Sequence, residues 1–313
     1  MAILTGSDVV ERETSSGTVR VRDTGGDGPA VLLVHSLLVD GDLYATLVPL
    51  LVAQGRRCIV PDLPLGAHQP PLRPGADLSP SGLANLAVEV LDALGVDVAD
   101  IVGVDTGGAI AQLLMAYHRH RVGRVVLTAC DAYECFPPPA VKPFRLLRFP
   151  GIAALAAVLL RLRPVRNLVN LRQLTHASVD DATIRRWTSP LRSPGVRRDL
   201  RAVVSGIKPE VTIAAAAANA DFPRPVLVAW GDDDRVFPRR LGERLAADLP
   251  DARLITLSDS AAFAALDSPG ELARLIDAHL GPAQRAADRL SPPGAGTGAP
   301  RRDQAGPPRT ADR

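Results

Sequence analysis

The sequence predicts an α/β chain: a mostly parallel sheet covered by helices on both faces and interrupted by one helical insertion. Three observations carry this. Short continuous runs of Val, Leu and Ile alternate with helical-period segments up to about residue 130. The alternation halts over 136–221, where the chain reads as helical and Arg-rich. It resumes with "PVLVAWG" at 225–231. Strand alternating with helix at this pitch implies βαβ crossovers, which make neighbouring strands parallel.

The elements follow in order. "GTVRVRDTG" (17–25) alternates as an edge strand does, whereas "AVLLVH" (30–35) and "RCIVPDLP" (57–64) are the unbroken apolar runs of strands buried on both faces. "DLYATLVPLLVAQG" (42–55) has helical spacing and a glycine stop, and "SPSGLANLAVEVLDALGV" (79–96) is a helix with capping residues before it. "ADIVGV" (99–104) is a third buried strand, followed by a tight turn at Asp105 and a helix from about Gly107 to His118. "GRVVLTAC" (123–130) is the next strand; after the insertion come "PVLVAWG", a helix near "RRLGERLAADL", the strand "ARLITL" (252–257) and a last helix "PGELARLIDAHL". Residues 1–135 and 222–280 form the expected core, 136–221 a helical lid entered at "FPPP" and left at "FPRP", and 281–313 a tail. That tail, rich in Pro, Gly, Arg and Asp, has too little apolar surface to order itself.

Composition narrows the function. At 313 residues, 46% hydrophobic and 22% charged, the chain is globular and long enough for a substantial core, built mostly of Ala, Val and Leu because aromatics are 4%. A net charge of +2 without a basic stripe argues against nucleic acid. The three cysteines suit reduced thiols, and with no basic, apolar leader in "MAILTGSDVVERE" a cytoplasmic location is expected. No metal site and no cofactor motif are expected, and Arg161 interrupts "GIAALAAVLLRLRP" before it could span a bilayer.

The chemistry centres on "GVDTG" (103–107), which places Asp105 on a sharp strand-to-helix turn with glycines on both sides. An acid there can cap the following helix, but capping does not require flanking glycines. The spacing is also wrong for a phosphate-binding G-x-G-x-x-G loop, and an acid inside one would repel phosphate. Together with "VLLVHSLL", "VPDLPLGAH" and "VLVAWGDDDRVFP", this turn resembles the α/β-hydrolase superfamily, and within it the aspartate-nucleophile branch of epoxide hydrolases and haloalkane dehalogenases. The resemblance spans about 17–280 and implies an α/β-hydrolase fold with 136–221 as lid. It implies Asp105 as nucleophile, Asp234 as catalytic acid with Asp233 the runner-up, and backbone N–H groups of Leu37 and Thr106 as oxyanion donors.

The sequence departs from that family in three places. Aligned on the Phe and Asp-x-Pro of "AAFAALDSP", the family's histidine falls on Ala262, before Phe263; His279 is the next histidine and is expected on the surface of the last helix. The oxyanion loop reads "HSLL", and neither Leu37 nor Thr106 offers the side-chain N–H that grips a halide. The chain's tyrosines, Tyr44, Tyr117 and Tyr133, lie outside the lid, with Tyr133 able to reach the pocket from its edge.

Asp131, at the end of a central strand, is a further acid, and carboxylates sharing one dry rim cannot all ionise. A turn-capping role suits Asp131 equally. His35 and Ser36 are expected at the pocket floor, His35 as a structural imidazole; His68 is a substitute base facing the same side; Trp187 packs in the lid or lines the pocket. The expected activity is cofactor-independent chemistry on a small hydrophobic organic substrate. It is either hydrolysis or, without the His, acid/base ring opening, cyclisation or elimination such as occurs in secondary metabolism. The alternative is an inactive relative that binds a hydrophobic ligand.

Overall fold

The computed structural model describes residues 8–166 and 171–282, so most of the tail expected at 281–313 lies outside the described residues. Eight strands form one sheet: β1 (Asp8–Thr14), β2 (Gly17–Asp23), β3 (Ala30–Val34), β4 (Arg57–Pro61), β5 (Ala99–Asp105), β6 (Val122–Cys130), β7 (Val226–Gly231) and β8 (Ala252–Leu257). Their order is β1-β2-β4-β3-β5-β6-β7-β8. The first three pair antiparallel and the rest parallel. This is an α/β-hydrolase fold. The edge lies at β1, so 17–25 is an inner strand and not the expected edge. "DVVERET" carries four charged residues in seven and lacks the apolar run that marks a buried strand.

Helices α1 (Leu47–Ala53), α2 (Pro80–Ala93) and α3 (Thr106–Tyr117) connect the first parallel strands. The stretch 42–55 is not one helix: a 3-10 turn at Gly41–Tyr44 precedes α1. Pro49 explains the break, since its ring would collide with the carbonyl of Ala45 in a continuous helix. α2 begins where Ser79 accepts a hydrogen bond from the Gly82 amide, an N-cap worth about 1 kcal/mol.

The insertion contains a 3-10 stretch at Pro139–Arg148, then α4 (Pro150–Leu159), α5 (Arg163–Arg166), α6 (Asp181–Thr188), α7 (Pro194–Gly206) and α8 (Pro209–Ala218). α8 packs on α3 and is tied to the core by Asn219, whose side-chain amide donates to the Gln112 carbonyl at 2.9 Å. α9 (Arg239–Asp248), α10 (Ala264–Asp267) and α11 (Pro269–Leu280) complete the chain. His279 is 8% exposed, not on the surface as expected, because α11 turns that face onto the sheet. The three cysteines are free and buried.

The turn at Asp105 is built by close approach. A Cβ on Gly107 would lie 2.1 Å from the Val34 carbonyl oxygen, and one on Gly108 would lie 2.3 Å from Cys130 Cβ. α3 therefore starts almost in contact with β3 and β6, and only glycine fits. Gly107→Ala is expected to cost about 3 kcal/mol or more, because a backbone carbonyl cannot step aside. Urea unfolding of the variant checks this.

Candidate functional site

β5 ends at Asp105, and the chain enters α3 without a loop. Asp105 itself holds φ 52° and ψ −126°, outside the regions where a residue with a side chain is comfortable. Such strain costs about 1–3 kcal/mol and persists only where surrounding packing enforces it. The glycines described above supply that packing, and the result lifts the carboxylate off the sheet edge.

Above it lies a chamber of about 380 Å³. Its floor is Ser36, Leu37, Asp105 and Thr106, and its ceiling comes from the insertion, including Leu147, Leu160, Leu174 and Trp187. Val236 and Phe263 close the side toward β7 and β8. The walls are overwhelmingly apolar, so the Asp105 carboxylate is one of few ionisable groups a ligand would meet.

One carboxylate oxygen is held. Asp105 Oδ1 accepts from the Thr106 amide at 2.6 Å and the Thr106 hydroxyl at 3.1 Å. The Ser36 side chain also hydrogen-bonds to Asp105. Burial nevertheless raises the Asp105 pKa above the ordinary carboxylate value, outweighing these donors.

A second carboxyl stands one strand away. Asp131 follows β6, its amide donating to the Asp105 carbonyl at 3.3 Å, and its Oδ2 lies 3.3 Å from the Thr106 hydroxyl. Asp131 is 2% exposed, and its Oδ1 has no hydrogen-bond partner. Burial, and then the charge of Asp105, push its pKa well above the usual range. The Thr106 hydroxyl has one proton and touches both acids. Both contacts are hydrogen bonds when Asp131 is protonated and donates to the Thr106 oxygen.

Asp234 sits on the loop after β7. Its Oδ1 accepts from the Val236 and Phe237 amides at 2.8 and 2.9 Å, while its Oδ2 is buried without a hydrogen-bond partner. Burial pushes it up to about 6 despite those amides. The loop carrying Ala262 is brought alongside: the Asp233 amide donates to the Ser260 carbonyl at 3.1 Å, and the Ser260 amide lies 3.3 Å from Asp232 Oδ1. Ala262 is fully buried, and Phe263 after it reaches the chamber. Asp233 instead faces His176 of the insertion, whose Nε2 lies 3.0 Å from its Oδ2.

Of the residues singled out from sequence, Ser36, Leu37, Asp105, Thr106, Trp187 and Phe263 line the chamber. Asp131 and Asp234 lie outside that lining. Four residues expected at the pocket are not in its lining: Ala262, His35, His68 and Tyr133. His35 is fully buried, with Nε2 accepting from the Leu63 amide at 3.0 Å and Nδ1 against the Ser36 carbonyl at 2.9 Å. That fixes one neutral tautomer, and burial lowers its pKa. His68 turns away to Asp199 of α7 at 3.2 Å, so it is not a substitute base over Asp105. Tyr133 donates to Asp248 at 2.9 Å beneath the Arg244 guanidinium.

Sequence reasoning missed the Thr106 hydroxyl as a bridge and the polar cluster behind the chamber. The Trp187 indole donates to Asp40 Oδ1 at 2.8 Å. Arg22 of β2 lies 3.8 Å from Asp40, 3.3 Å from Asp42 and in contact with Asp62, and Arg186 lies 3.0 Å from Asp42. Among the described residues no group of three His, Cys, Asp or Glu side chains is arranged to hold a metal ion.

A family model described as alpha/beta hydrolase fold matches residues 29–269. Among solved structures, the chain is similar to haloalkane dehalogenase DbeA of Bradyrhizobium elkani, with TM-score 0.72, 21% identity, 87% of this chain and 97% of that one. It is similar as well to a 2-hydroxy-6-oxo-6-phenylhexa-2,4-dienoate hydrolase of Rhodococcus, with TM-score 0.69, 20% identity, 87% of this chain and 99% of that one. A stretch of 57 residues is 37% identical to the uncharacterized hydrolase YugF of Bacillus subtilis, covering 18% of this chain and 19% of that relative. At these identities the structural likeness carries the fold alone.

Proposed function

Because the chain belongs to the α/β-hydrolase fold family, we propose that it is an enzyme of the epoxide-hydrolase and haloalkane-dehalogenase type, acting through Asp105 on a small apolar organic molecule. The observation that carries this reading is the Asp105 carboxylate on a strained turn, facing an apolar chamber. A carboxylate oxygen attacks carbon and an alkyl ester forms as either a carbon–halogen bond breaks and halide departs, or one epoxide C–O bond breaks and its oxygen, still bonded to the neighbouring carbon, takes a proton from water. The other carboxylate oxygen becomes the ester carbonyl. Thr106 N–H already sits on Oδ1 and would stabilise the oxyanion formed if water attacked that carbonyl.

Hydrolysing the ester needs a base for the water. Where the family resemblance expects a histidine this chain has Ala262, and the acid that would orient it, Asp234, has an oxygen without a partner. Two outcomes fit. Either the ester is long-lived, or Asp105 works as an acid/base group in ring opening, cyclisation or elimination. In the second case Asp131 stores a proton and the Thr106 hydroxyl carries it to Asp105. The same orphaned oxygen favours one alternative reading, a pocket that binds a hydrophobic ligand without turnover.

Intact-protein mass spectrometry after incubation with a small alkyl bromide or epoxide tests the proposal. The expected result is one persistent adduct, mapped to Asp105. In Ala262→His the adduct is expected to clear about 100-fold faster or more, the usual contribution of a positioned general base. No adduct, together with unchanged ligand affinity in Asp105→Asn, supports the binder.

A further inference from the structure

Eight of the thirteen large hydrophobic side chains exposed among the described residues fall within 144–162. Phe144, Leu146, Phe149, Leu155, Val158 and Leu162 are each 44–58% exposed, on the 3-10 stretch Pro139–Arg148, on α4 and just beyond it. Isolated exposed apolar residues need no explanation, but a concentration of them on one short segment does. The segment is also electrostatically one-sided. From Cys135 to Val179 the chain has no acidic residue and seven cations, among them the exposed Lys142, Arg145, Arg148, Arg161 and Arg163. A chain of net charge +2 thus collects a large local excess beside its main apolar patch.

Apolar side chains flanked by Arg and Lys match the boundary of a bilayer carrying anionic lipid, where acyl chains lie beneath negative headgroups. They match a second copy of this chain poorly, because a two-fold interface sets the same cations against each other. The patch also meets the chamber. Phe144 and Arg145 are exposed and at the same time line it, while Leu147, Ala156 and Leu160 of the same segment form its inner wall. No helix of the described residues is long and apolar enough to cross a membrane, so the contact is peripheral.

We propose that the outer face of 139–163 docks on anionic lipid surfaces, setting the chamber's Phe144 rim against the headgroups. The docking does not depend on the chemistry assigned to Asp105. Flotation of the full chain with vesicles of mixed phosphatidylcholine and phosphatidylglycerol tests it, with pure phosphatidylcholine vesicles for comparison. The expected result is binding to the mixed vesicles that weakens several-fold on neutral ones and falls as salt is raised. Leu155→Asp/Val158→Asp, outside the chamber lining, is expected to abolish it. Arg161→Gln/Arg163→Gln removes two surface cations and is expected to weaken binding about five-fold per charge. Circular dichroism of both variants establishes that they fold. Failure to float with either vesicle, equal binding to both, or a concentration-dependent dimer of the parent chain that Leu155→Asp/Val158→Asp dissociates would each overturn the proposal.

Discussion

Asp105→Gly is expected to melt higher than the parent chain and to lose all covalent labelling by alkyl halide or epoxide. The two effects have separate causes in one residue. Glycine tolerates φ 52° and ψ −126°, relieving about 1–3 kcal/mol of backbone strain, offset by about 0.5–1 kcal/mol of additional chain entropy. It also removes a carboxylate whose raised pKa records an unfavourable environment for its charge. Labelling disappears because no other ionisable oxygen lies in the chamber floor. Asp105→Asn separates the contributions: it retains the strain and the Oδ1 acceptor but loses the charge. Its labelling is expected to fall by several orders of magnitude with a smaller gain in melting temperature. A parent chain that labels no faster than Asp105→Asn would remove Asp105 from any nucleophilic role.

The second expectation concerns pH. Asp234 is raised to about 6 in the folded chain against an ordinary 3.8, so between those values the folded state holds a proton that the unfolded state has released. The stability tied to that proton is full at and below pH 3.8 and is lost as pH rises through about 6. Asp234→Asn keeps an oxygen for the Val236 and Phe237 amides and cannot ionise. Its stability relative to the parent is therefore expected to climb across that window, by up to about 3 kcal/mol for two pH units and less where solvent screens the group. Taking the difference between the two proteins cancels the depressed carboxylates elsewhere, such as Asp23 beside Arg57, whose effect has the opposite sign. Chemical denaturation at pH 4 and pH 8 measures it. A difference that stays flat would mean that Asp234 is well solvated or paired.

The parts of the site that could be read from sequence were those encoded within a few residues. The turn at Asp105 was legible because Gly103, Gly107 and the preceding apolar run record a local steric demand, and the contacts that a Cβ would make bear out the reason. The parallel sheet was legible because β3, β5 and β6 are buried on both faces and each carries a short apolar run, AVLLV, IVGV and VVLTAC. β1 was not, since an edge strand can alternate charges. Neither was the break before α1, where Pro49 had to be weighed above the apolar period. His68 illustrates the larger difficulty. Its partner Asp199 is 131 residues away, so nothing near "GAH" reveals which way the ring turns. Thr106 could be placed beside Asp105, but its hydroxyl reaches Asp131 only because β5 and β6 are neighbours in the sheet.

The cluster around Arg22 anchors one corner of the chamber's roof. Trp187 and Arg186 of α6 are bolted to Asp40 and Asp42, and Arg22 behind them gathers Asp40, Asp42 and Asp62 out of water. Pulling one member away strands buried charge, which is far costlier than parting apolar surfaces. That corner of the roof is therefore the fixed one. The Pro139–Arg148 stretch instead meets the chamber through apolar side chains such as Phe144 and Leu147, and parting those contacts strands no buried charge.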